Sequence, residues 1–93
     1  MEGVSYDYKV QKQEIMSEAG QVGLLATAFK AKTACAAAGV VTAGTLISGM
    51  PGVSDPWRQL AVVDRLVELG YLREVRQEAG VAGQHRIFRW VGP

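Results

Sequence analysis

Cysteine is almost absent from this chain, and its scarcity removes several chemistries at once. Cys35 stands alone among alanines, so no internal disulfide can form, and no second thiol or neighbouring histidine completes a zinc site. The expected state is a buried, reduced thiol, as in a cytoplasmic protein. Histidine is equally scarce: His85 is the only one and has no serine or cysteine near it in sequence. Phosphate loop, metal-ligand spacing and nucleophile elbow are lacking as well. Asp64 and Glu68, four residues apart on one helix face, suit solvation better than paired acid and base work. The sequence therefore reads as a non-enzyme, with no cofactor and no metal.

Excess charge of either sign is also lacking. Residues 1–21 carry Lys9 and Lys12 against Glu2, Asp7, Glu14 and Glu18, a net of −2; the stretch to Met50 carries only Lys30 and Lys32, a net of +2. From Pro51 onward six arginines face five acids, and the whole chain is +1. That balance is modest for a protein whose affinity comes from neutralising phosphates. No basic, apolar leader opens the chain, where Glu2 and Asp7 stand instead. Thr33 to Met50 runs eighteen residues without a charge, but it is mostly Ala, Gly and Thr and is interrupted at Gly39, Gly44 and Gly49. Its drive into lipid is weak, and no membrane partner is expected.

What is present suits one compact domain spanning 1–93, with loose ends at Met1–Tyr6 and Gly92-Pro93. Val10 to Ala19 suggests a helix with Ile15 and Met16 inward and Gly20 as its stop; Val4 to Tyr8 could instead form a strand, so residues 1–21 are an extension of open structure. From Val22 to Ala38, Leu24, Leu25, Ala28, Phe29, Cys35 and Ala36 fall within about 140° on a helical wheel. That arc is the expected buried face, with Lys30 opposite and Lys32 snorkelling from its edge. Gly39 ends the helix, and Val40-Val41 links to the next.

A short helix is expected from about Thr42 to Met50, with Thr42 or Ser48 as a cap and Pro51-Gly52 as its stop. Ser54, Asp55 and Pro56 then stand in the order of a helix entrance, with Ser54 as the capping hydroxyl. On the following helix Leu60, Val62, Val63, Leu66, Val67 and Leu69 fill one half of the wheel, and Arg58, Ala61, Asp64, Arg65 and Glu68 the other. Gly70 suits a left-handed exit. Tyr71–Arg76 and His85–Val91 have strand character, and 78–84 between them is a glycine-bearing loop.

The run Leu66-Val67-Glu68-Leu69-Gly70-Tyr71-Leu72 is similar to the junction between recognition helix and wing in many small bacterial regulators. In this pattern the chain resembles winged helix-turn-helix proteins. The resemblance implies an α+β, mostly helical fold of three or four helices, with a helix-turn-helix at 42–70 and a hairpin wing at 71–91. It further implies sequence-specific binding of double-stranded DNA by a small transcriptional regulator of phage or mobile-element type, working as a homodimer. A lone module covers only roughly 600–1,000 Å².

Under that resemblance, the N-terminal half of the second motif helix enters a major groove. Arg58 and Arg65 lie about 20° apart on its outward arc, Ala61 between them allows close approach to base edges, Trp57 shares that half, and Ser54 offers a hydroxyl to phosphate. Arg76, Gln84, His85 and Arg86 flank the wing and reach backbone or minor groove, with Lys30 as a distant contact. Bland readings compete: Arg65 paired with Glu68, Ser54 only a cap, Trp57 packed on Phe88 or Trp90, and the wing arginines paired with Glu74 and Glu78. The alternative function is a winged helix that binds protein and no DNA, for which near-neutral charge is no handicap.

Overall fold

The computed structural model describes residues 6–75 and 85–93. Four helices and a three-stranded antiparallel sheet make an α+β arrangement: α1 Tyr8–Glu14, α2 Glu18–Ala38, β1 Val41–Thr42, α3 Ala43–Ile47, α4 Pro56–Glu68, β2 Leu72–Val75 and β3 Ile87–Trp90. The loop positions Arg76 and Gln84 lie outside the described residues, as does Val4.

Short polar side chains start each helix by accepting from its free amides. Asp7 accepts from the Lys9 N–H, Ser17 from Gly20, Thr42 from Thr45 and Asp55 from Trp57. Thr42 was one of the two caps expected for α3. At α4, however, the cap is Asp55 and not Ser54, because Pro56 occupies the first helical position and places the carboxylate one residue behind it. The exit of α4 is a Schellman turn: Gly70 has φ of 87°, its N–H donates to the Val67 carbonyl, and the Tyr71 N–H reaches back to Leu66. That turn aims the chain directly into β2.

The sheet has the order β1-β3-β2. Its third strand comes from Val41–Thr42, where Val41 was expected in the link and Thr42 at the helix start; of the alternative strand Val4–Tyr8, Tyr8 opens α1 and positions 4 and 5 lie outside the described residues. Val41 pairs with Phe88 and Thr42 with Ile87, and burying Val41 against the core offsets the shortness of a two-residue strand. In the hairpin Leu72 faces Trp90, Glu74 faces Phe88, and Arg73 stands directly opposite Arg89. Tyr71 and Trp90 stack with centroids 5.7 Å apart.

Phe88, Leu46, Leu66, Val62 and Val63 are fully buried and hold α3, α4 and the sheet together. Against them α2 presents Gly20, Gly23, Thr27 and Ala31; of the arc expected from its wheel, Leu24, Ala28 and Cys35 pack half-buried on the core, while Leu25, Phe29 and Ala36 face outward. Leu25 is 72% and Phe29 74% exposed, and Val22 is exposed beside them. The reason is backbone proximity: a Cβ built on Gly23 would lie 2.9 Å from Val53 Cγ2 and 3.0 Å from the Pro51 carbonyl oxygen, so only the small-residue face fits here. The same constraint moves two other expectations. Gly20 does not stop a helix but sits in the first turn of α2, against the Ile15 carbonyl; and while Ile15 is buried as expected, Met16 is 59% exposed.

Thr27 carries the one buried side-chain oxygen among the described residues that has no hydrogen-bond partner. Replacing it by an isosteric apolar group removes an unmet desolvation cost. Thr27→Val is expected to raise stability by about 1 kcal/mol, read as a higher denaturant midpoint at unchanged slope.

Candidate functional site

The outward flank of α4 is where a functional surface was expected, and α1 lies across it. Tyr6, just ahead of α1, donates its hydroxyl to Asp64 Oδ2 at 2.6 Å, and Tyr8 donates to Glu68 Oε1 at 2.8 Å. Lys12 Nζ reaches Glu68 Oε2 at 3.0 Å, and Glu14 accepts from Arg58 Nη2 at 2.9 Å. No residue of α1 itself is fully buried; these polar contacts hold it, together with the rings of Tyr6 and Tyr8, which pack against the cluster of Ile15, Met50, Val53, Ala61 and Val62.

Each guanidinium expected to read a ligand in this region has a carboxylate instead. Arg65 Nη1 bonds Glu68 Oε1 at 2.6 Å, as the bland reading of that residue held. Arg86 holds Glu74 with both Nε and Nη2, at 2.9 and 2.8 Å, and reaches Asp64 Oδ1 at 2.9 Å. Its side chain is 23% exposed and lies over the Phe88 ring. These bonds, Glu74 foremost, raise the Arg86 pKa further above its ordinary value. Arg86 also draws the Glu74 carboxyl below the usual range.

Ala61 is corrected outright. It is fully buried and packs in a cluster with Ile15, Met50, Val53 and Val62, so it cannot meet a base edge. On α4 taken alone its methyl falls among charged residues, but the Ile15 segment covers that stripe. Ser54 is exposed beside Asp55 and Arg58, and Trp57 is half-buried without belonging to either core cluster. Trp90, one of its expected partners, stacks on Tyr71. Lys30 donates to the carbonyls of Thr45 and Ser48, closing the end of α3. His85 is exposed and borders an open groove with Lys30, Thr42, Thr45 and Ser48.

Two features escaped the reading of the sequence. One is the outward apolar row Val22, Leu25 and Phe29, whose regular spacing was visible although its direction was not. The other is Arg73 and Arg89, exposed, directly opposed and without an ion pair among the described residues. The signal for these was alternation, since each arginine neighbours a buried strand residue, Leu72 or Phe88. No family model matches the chain, nor does any curated protein or solved structure. No described helix is long and apolar enough to cross a membrane; the uncharged run from Thr33 to Met50 is divided among α2, β1 and α3.

The latch between α1 and α4 has a pH signature. Donation from Tyr8, then Arg65 and Lys12, lowers the Glu68 pKa from 4.5 to about 2. Its contribution is therefore complete above the ordinary carboxylate value and is lost as pH falls from there towards 2. Burial, then the bond to Glu68, pushes Tyr8 up to about 12, and burial with the bond to Asp64 raises Tyr6 as well. Those contributions are complete below pH 10 and disappear as pH rises through the folded values. In an ultraviolet titration, Tyr8 phenolate is expected to form near pH 12, and Glu68→Gln is expected to lower that transition only part of the way, because burial, the larger cause, remains.

Proposed function

We propose that this chain is a winged-helix module that works by associating with protein, and that α4 is not a reading head for DNA. The order helix, short strand, helix, helix, hairpin supports the winged-helix assignment. One observation carries the functional choice: α1 roofs the flank of α4 that a major groove would have to receive, while Arg58, Arg65 and Arg86 are each neutralised by a carboxylate. A duplex would have to displace a helix and break those pairs before meeting a free cation. The outward row Val22, Leu25 and Phe29 offers an apolar surface of the kind protein interfaces use at their centre.

Duplex binding by a transcriptional regulator is the second reading, favoured by Arg73 and Arg89 on the hairpin, which have no ion pair among the described residues. Fluorescence anisotropy with a labelled duplex parts the two. Protein association predicts no saturable binding at about 50 mM salt. Binding that weakens steeply by about 200 mM, and loses slope on Arg58→Ala or Arg86→Ala, would reinstate the regulator.

A further inference from the structure

The exposed face of α2 has a repeat that its buried face does not. Glu18, Val22, Leu25, Phe29, Lys32 and Ala36 follow one another in steps of four and three, and all six are exposed. This is the spacing of a helix-to-helix seam, in which alternate positions of one helix enter the gaps of another. Among the described residues nothing covers the Val22, Leu25 and Phe29 stretch of this seam, because α2 turns its buried side to the rest of the fold; only the Lys32–Ala36 end meets the sheet, where Arg89 and Trp90 border a groove with those two residues. We infer that its occupant is α2 of a second copy of the chain, packed antiparallel. The inference rests on the protein-association reading and names the partner for it.

Charge selects both the copy and the direction. Glu18 and Lys32 stand at opposite ends of the seam, and neither has an ion pair among the described residues. A parallel pair would set Glu18 beside Glu18 and Lys32 beside Lys32. An antiparallel pair with its two-fold axis midway between Leu25 and Phe29 layers Leu25 on the partner's Phe29, twice. Val22 then meets the stem of the partner's Lys32, whose ammonium extends one layer further to Glu18. The same face is thus self-complementary, as a two-fold interface requires. Ala36 at the end of the row permits the close approach of about 8–10 Å between axes. The exposed parts of the six side chains, doubled by symmetry, bury roughly 1,000 Å², the lower bound for a specific contact. The pair is accordingly expected to be weak, with a dissociation constant of about 10–100 µM.

Sedimentation equilibrium of the full chain tests this, with the melting temperature as a check on folding. Because Leu25 faces solvent in the single copy, Leu25→Glu is expected to leave melting of the monomer unchanged and to weaken association by at least about a hundredfold. Glu18→Lys and Lys32→Glu are each expected to weaken it about fivefold, and the double exchange to restore it. A monomer at about 1 mM, or a dimer indifferent to Leu25→Glu, overturns the inference. So does failure of the double exchange to restore pairing. The duplex titration is run on the same variants: steep, salt-dependent DNA binding defeats the association reading whatever the dimer does, whereas a monomer that ignores DNA defeats only the second-copy assignment.

Discussion

Ala61→Arg is expected to unfold the domain, costing about 3–5 kcal/mol. At an open helix face an added guanidinium would be harmless to folding and would tighten any contact with phosphate. Ala61 instead has no exposed surface and touches the cluster of Ile15, Met50, Val53 and Val62. A long side chain there must either push the Ile15 segment away or bury a charge with no carboxylate beside it. Circular dichroism and chemical denaturation separate these outcomes cleanly from the alternative. A folded protein with near-normal stability would mean that α4 is uncovered, and the proposal of a roofed helix would fail with it.

The second large effect is expected at Gly20. A Cβ added there would collide with the Ile15 carbonyl oxygen and lie 2.6 Å from its carbon, both backbone atoms with no freedom to swing aside. Ile15 is fixed by its own buried side chain, so the strain cannot be relieved at that end. Gly20→Ala is expected to cost about 2–4 kcal/mol, although alanine is by itself the better helix former. A drop in the denaturant midpoint checks the cost; a gain in stability, as intrinsic propensity alone would give, would contradict the tight junction between α1 and α2.

How much of this was legible beforehand differs element by element. The inner face of α4, the Thr42 cap, the glycine exit into β2 and the hairpin strands were readable, because each depends on neighbours a few residues away. The strand Val41–Thr42 was not, since two residues become a strand only when Phe88 arrives from the far end of the chain to pair with them. Orientation of α2 was only half legible, for a different reason. Its stripe of small residues adjoins the near edge of the bulky arc, and local periodicity does not say that the fold centres on the small stripe, taking Leu24, Ala28 and Cys35 and leaving Leu25 and Phe29 outside. Of the candidate site, the arginines were found but their partners were not: Tyr6, Tyr8 and Glu14 lie more than forty residues away in sequence from the groups they hold. Ala61 was misplaced because a methyl group has no preference that α4 alone could reveal.

A helix fastened by hydroxyls and ion pairs answers to other agents than a core fastened by Phe88 and Leu66. Dissolved electrolyte screens the attachments of α1 and leaves the packed interior nearly indifferent, while urea attacks both. Ionic strength thus becomes a handle on the ion pairs, those of Lys12 and Arg58 at the N-terminal brace and those of Arg86 at the hairpin, while the packed body beneath stays intact.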